Sequence, residues 1–195
     1  MGAAMTEWNI VLWSAALQIA QEADLPRDVW PDEDVAPQAY FRKLREGENN
    51  MAALSYAACA LPKLESIEWA LACLPPVEEG DRDYSAKMLL RDASRRWIDE
   101  PDDQNRRAVF ELAENSNNEW PETLIGLAIF FSGGSITPED NEPVTIGQEI
   151  TTKLIGGAMI SAVASLAIAD PGFADRALDL ADRFAVRGRE ALTTT

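Results

Sequence analysis

Residues 120–138 read WPETLIGLAIFFSGGSITP. Pro121 stands where a first helical residue belongs, and Glu122 behind it suits the positive end of a helix dipole. Leu124, Ile125, Leu127, Ala128, Ile129, Phe130 and Phe131 follow, interrupted by Gly126 alone. The run is apolar on every side, so it predicts a helix buried in a globular core, and it is far short of the ~20 residues that cross a bilayer. Gly133 and Gly134 can take the left-handed conformation that ends a helix, and Pro138 stops it continuing.

Outward from this stretch the same grammar repeats. A first helix is expected from a cap at Thr6 to about Glu22, with Trp8, Val11, Leu12, Ala15 and Ile19 on one stripe. Residues 23–36 hold two prolines, with Pro37 directly after, and no period, and predict a long loop. Helices then start at Pro37, at Asn49 or Asn50, and near Leu64, where Leu64, Ile67, Leu71 and Leu74 repeat at spacings of three and four. Pro75-Pro76 ends the last of these. Tyr84, Met88, Leu89, Ala93 and Trp97 carry a long helix to about Asp99, and Pro101 opens one that buries Val109, Phe110 and Leu112. Residues 138–144 form an acidic, proline-bounded loop. Thr145 with Gln148 matches a capping box for a helix from Ile146 to Ala169. Its uncharged stretch 154–169 is rich in glycine, alanine and serine, which points to close packing against a neighbour rather than a membrane span. A last helix starts at Asp170-Pro171 with Phe173, Ala177, Leu180 and Phe184 inward. No stretch alternates with period two. The expectation is one all-α domain over residues 1–195, about eight helices around the buried helix near 121–132.

Composition narrows function mainly by exclusion. The chain has 33 acids, 17 bases and a net charge of −16, which argues against nucleic acid or an anionic membrane as partner. It contains no histidine, which removes Ser-His-Asp and Cys-His mechanisms, the HExxH zinc site and Glu-x-x-His di-iron pairs. Cys59 and Cys73 sit in apolar helical patterns without CxxC spacing, and read as buried free thiols in a reducing compartment. The N-terminal nine residues lack the basic start and apolar core of a signal peptide, so a cytoplasmic location is expected.

Individual motifs yield little chemistry. SGGS at 132–135 leaves a helix C-terminus, where the dipole repels anions, so a tight turn is a better reading than a phosphate cradle. Glu65 and Glu68 lie one turn apart but off the apolar stripe, which predicts an exposed solvated pair with ordinary acidity. An EF-hand register from Asp81 and Asp83 fails because Ala86 stands where glycine is required. An enzyme built on carboxylates alone would need two acids facing across a deep pocket. No cofactor and no metal site is implied.

One charge feature stands apart. Seven of the 17 bases fall between Arg82 and Arg107, and Lys87, Arg91 and Arg95 are spaced four apart on one helix face. Two readings are open: a docking face for an acidic protein, or pairing with acids nearby such as Asp92, Asp99 and Asp103. Trp30, in its proline-rich loop, is the candidate aromatic contact. Trp30, Lys87, Arg91 and Arg95 are therefore the candidate partner-contact residues.

Several stretches together, LPKLESIEWALACL (61–74), Trp97 with Pro101 and Arg106-Arg107-Ala108, WPETLIGLAIFFSGGSITP, and GQEITTKLIGGAMISAV (147–163), resemble a family of bacterial domains of unknown function. The resemblance covers about residues 61–190, with FSGGSITP its most specific piece, and departs after Pro138, where this chain is acidic and the family proline-rich. It implies gene neighbourhoods of type VI secretion and forkhead-associated proteins, and no catalytic residues. The expected function is a non-enzymatic protein-interaction or adaptor domain, an accessory of a bacterial secretion or effector system. The alternative is an acidic neutralising protein, of immunity or nucleic-acid-mimic type, that binds a basic partner.

Overall fold

Alanine is the best helix former and carries a side chain small enough to let neighbouring helices close in. The stretch Asn50–Ala60 uses both properties. Asn49 accepts the Ala52 N–H at 3.4 Å to start the helix, and Ala52, Ala53, Leu54, Tyr56, Ala57, Ala58, Cys59 and Ala60 are all buried. This is α3 of a computed structural model that describes residues 7–138, 140–147 and 149–193. The other helices are α1 (Ala16–Glu22), α2 (Pro37–Glu46), α4 (Lys63–Cys73), α5 (Tyr84–Asp99), α6 (Asp103–Glu114), α7 (Pro121–Phe131), α8 (Glu149–Leu166) and α9 (Phe173–Arg187). Short 3-10 turns cover Arg27–Val29 and Gly188–Leu192. Among the described residues there are nine α-helices and no strand, packed as one domain.

Two helices share the centre. α7 packs against α4, α5, α6 and α8, with Ile125, Ala128, Ile129 and Phe130 buried, as its apolar run predicts. α3 packs against α1, α2, α4, α8 and α9, so the core has a second axis that the expectation of one central helix lacked. α8 lies between the two. A Cβ on its Gly156 would come within 3.3 Å of the Ser55 backbone on α3, so glycine there sets how closely the helices approach. Gly126 plays the same part between α7 and α6, where a Cβ would meet Ala113 and Val109 at 3.1 Å. The small-residue stretch of α8 is thus a packing surface, and no helix among the described residues is long and apolar enough to cross a membrane.

The first helix is shorter than its periodicity predicts. Residues 7–15 run as an extended strap, and Thr6, the expected cap, lies outside the described residues. Asn9 and Ile10 give their backbone N–H groups to Ala185 O at 2.9 and 3.1 Å, where α9 ends and its carbonyls lack intrahelical partners. Trp8 donates its indole N–H to Asp182 at 2.6 Å and packs on Phe41, while Leu12, expected on the buried stripe, is 88% exposed. Tertiary bonds outweigh the modest helix propensity of a stretch rich in Trp, Ile and Val. Gln18 then accepts the Ala15 N–H at 3.1 Å and helps begin α1. α8 is also shorter than predicted, and Gln148 of the expected capping box lies outside the described residues. On α5 the inward register is Leu90, Ser94 and Trp97, with Leu89 exposed.

Candidate functional site

Both ends of α7 come close to the surface, and charged side chains hold each of them. At the start, Glu122 occupies the first turn, where the helix dipole favours an anion. Arg91 reaches it from α5 with two bonds to Oε1, from Nε at 3.0 Å and from the guanidinium terminus at 2.6 Å. A third Arg91 N–H goes to the Pro75 carbonyl at 2.6 Å. Both side chains are buried, so each charge depends on the other.

At the far end Arg106, also buried, donates to Phe130 O at 2.6 Å and Ser135 O at 2.7 Å, with its guanidinium 4.8 Å from the Phe130 ring centre. Arg107 adds a 2.9 Å bond to Thr137 O, and Lys63 gives its ammonium to Ser132 O at 2.8 Å. Burial lowers the Lys63 ammonium below its usual value. Gly134 has φ +70°, and a Cβ there would meet the Arg106 guanidinium at 3.1 Å. SGGS is therefore a tight turn fastened by arginines. Asp103 completes the cluster, and hydrogen bonds from Arg107 and then Arg106 hold its carboxyl below 3.8.

The two ends differ in what surrounds them. At the start of α7 the structure opens a cleft of about 740 Å³, within the range of ligand-binding clefts. Pro75, Pro76 and Val77 form part of its lining, as do Trp120, Glu119 and Asn117 before α7 and Leu166, Ala169 and Asp170 at the end of α8. Lys87 sits in it with its ammonium 2.6 Å from Asp81 Oδ2 and 5.1 Å from the centre of the Trp120 ring. That Lys87 bond, followed by the Asp83 N–H, holds the Asp81 carboxyl below its usual range. Glu78 and Glu119 are exposed on the lining, without a hydrogen-bond or ion-pair partner for their carboxylates among the described residues.

The candidate residues separate on this frame. Lys87 and Arg91 meet in the cleft, but Arg91 is buried on Glu122 and Lys87 is engaged by Asp81, so the basic stripe is not one open face. Arg95 is exposed and pairs with Asp92 at 3.2 Å, outside the cleft. Trp30 is half-buried, donates to Leu25 O at 2.7 Å and lies under Arg27. Glu68 corrects its expectation: it is buried, with Arg189 Nε 2.7 Å from Oε2 in a contact too misaligned for a hydrogen bond. Cys59 and Cys73 are free, and burial raises their thiols to about 11 and about 12. The residues that sequence reading left out are Trp120, Glu119 and Glu78; the adjacent Glu119-Trp120-Pro121 was the available signal.

A family profile described as "Family of unknown function (DUF6931)" matches residues 40–185. No curated protein matches the chain. No solved structure matches it either.

Proposed function

The chain belongs to the DUF6931 family of unknown function, and from that premise we propose a non-enzymatic interaction domain that docks a segment of another protein in the cleft at the start of α7. The observation that carries this reading is the cleft itself. Its lining combines proline-edged backbone, the half-buried Trp120 and the small residues at the end of α8. Aromatic side chains next to apolar walls are what protein contacts are built around. The role as accessory of a bacterial secretion or effector system belongs to this proposal and rests on the sequence resemblance alone. A second reading, the acidic neutralising protein, draws on the net charge of −16 and on Glu78 and Glu119, which have no ion-pair partner among the described residues.

The test is a plug. Gly80 lines the cleft, and a Cβ built there meets nothing within 4 Å, so Gly80→Trp adds an indole at the cleft wall with no clash at its Cβ. Tagged wild-type and variant are used to capture partners from a lysate of the source organism at low and high salt. The expected result is a defined protein held by wild-type, lost with Gly80→Trp at unchanged melting temperature. Equal capture by both refutes docking in the cleft, and a partner held only at low salt and equally by both favours the neutralising reading.

A further inference from the structure

The charges in the cleft are unequally matched. Its two cations are both compensated from within: Lys87 by Asp81 at 2.6 Å, and Arg91 by Glu122 at 2.6 Å. Asp170 is matched by Arg176. Among the described residues, the Glu78 and Glu119 carboxylates have no counter-ion. The face of Trp120 already accepts an ammonium, that of Lys87, 5.1 Å from the ring centre, the arrangement by which aromatic rings attract cations. Between these charges the walls are apolar.

Resting on the docking reading above, we propose that the occupant is a cationic segment of a partner protein, bearing lysine or arginine with apolar residues between. Its positive charges are met by Glu78 and Glu119, and its apolar side chains lie along Pro75, Pro76 and Leu166. This reverses the partner implied by the basic stripe, because the stripe's cations in the cleft are already spent. Lys87 then acts as a competitor: its charge repels the incoming segment and keeps Asp81 occupied. Removing it strengthens binding, whereas a cleft made for an acidic partner loses binding with the same change.

The probe is a fluorescein-labelled peptide of alternating lysine and leucine, about ten residues long, enough to span ~30 Å when extended. A counterpart carries glutamate for lysine. Fluorescence anisotropy on the full chain is expected to show binding of the lysine probe alone. Glu78→Gln with Glu119→Gln weakens it about tenfold, and Lys87→Gln tightens it several-fold. Asp32→Asn with Glu33→Gln removes the same charge from an exposed loop elsewhere, and is expected to leave affinity within about twofold. If that control weakens binding as much, the attraction belongs to net charge and the proposal fails. It fails also if Lys87→Gln weakens binding, or if the lysine probe does not bind. Binding of both probes, each abolished by Gly80→Trp, leaves the docking reading standing while the cationic occupant falls. Lysine-probe binding that ignores Gly80→Trp removes both.

Discussion

Helices α3 and α7 are each enclosed on several sides, yet their last carbonyls are satisfied by different donors. α3 ends against neutral groups: the Ser66 hydroxyl donates to Ala58 O at 2.9 Å and the Trp13 indole to Cys59 O at 2.9 Å. Its one large polar side chain, Tyr56, gives its hydroxyl to Pro37 O at 3.1 Å. α7 ends against cations, Arg106 on Phe130 O and Lys63 on Ser132 O, and its start rests on the Arg91–Glu122 pair. Charged donors bond more strongly than neutral ones but must be compensated, which is why Asp103 stands beside Arg106. Neutral donors suffice where the helix end is packed inside; cations serve where the chain must turn sharply near water.

The comparison can be broken most forcefully at Glu122. Glu122→Ala leaves the Arg91 charge buried without its partner, and is expected to cost about 3–5 kcal/mol in urea denaturation. The double change Arg91→Met with Glu122→Leu is expected to recover most of that loss. If single and double variants are equally unstable, the tie at the start of α7 is packing and not charge. Next in size is Ser66→Ala, which orphans a carbonyl at the end of α3 for about 1–3 kcal/mol, with no dependence on salt.

The smallest effect sharpens the contrast by pH. Asp103 has a folded pKa depressed below its unfolded value of 3.8, with Arg107 the larger cause and Arg106 the second. Its contribution is therefore complete above 3.8 and disappears as pH falls through the folded pKa. Because its side chain is 49% exposed, solvent screening keeps the effect of Asp103→Asn at neutral pH to about 0.5 kcal/mol. Urea midpoints of wild-type and variant should differ at neutral pH and converge under strong acid. A constant difference would mean that the loss at Asp103 is not electrostatic.

Much of α7 was legible in the chain because its signals are local: Pro121 and Glu122 at one end, Gly133-Gly134 at the other, and an apolar run between. On α9 Phe173, Ala177 and Phe184 are buried as spacings of three and four predict, though Leu180 is half-buried and Leu178 and Ala181 lie inward. On α4 the buried residues run unbroken from Ser66 to Leu71, wider than the predicted stripe. The partner of Arg91 was not legible, since Glu122 lies 31 residues away and each residue has a sufficient local explanation, a basic stripe for one and a helix dipole for the other. Glu68 read as solvated because helical periodicity places a residue relative to its own helix and says nothing of the C-terminal turn that brings Arg189 over it. Trp8 and Trp13 fitted a helical stripe, yet the backbone there serves the end of α9. For the candidate site, the sequence supplied Lys87 and Arg91 but not the enclosure. A cleft belongs to several segments at once, and Trp120 becomes part of it only when α5 and α8 stand beside it.

The strap of residues 7–15 has a consequence for how the chain is made. Trp8 and its acceptor Asp182 are 174 residues apart. At about 5–20 residues per second, synthesis leaves Trp8 waiting roughly ten to thirty-five seconds before Asp182 exists. Throughout that interval Trp8 and Ile10 lack the α9 surface that they bond to, and they settle only once α9 has formed. Of the two sides of this contact, the one made first is the one that waits.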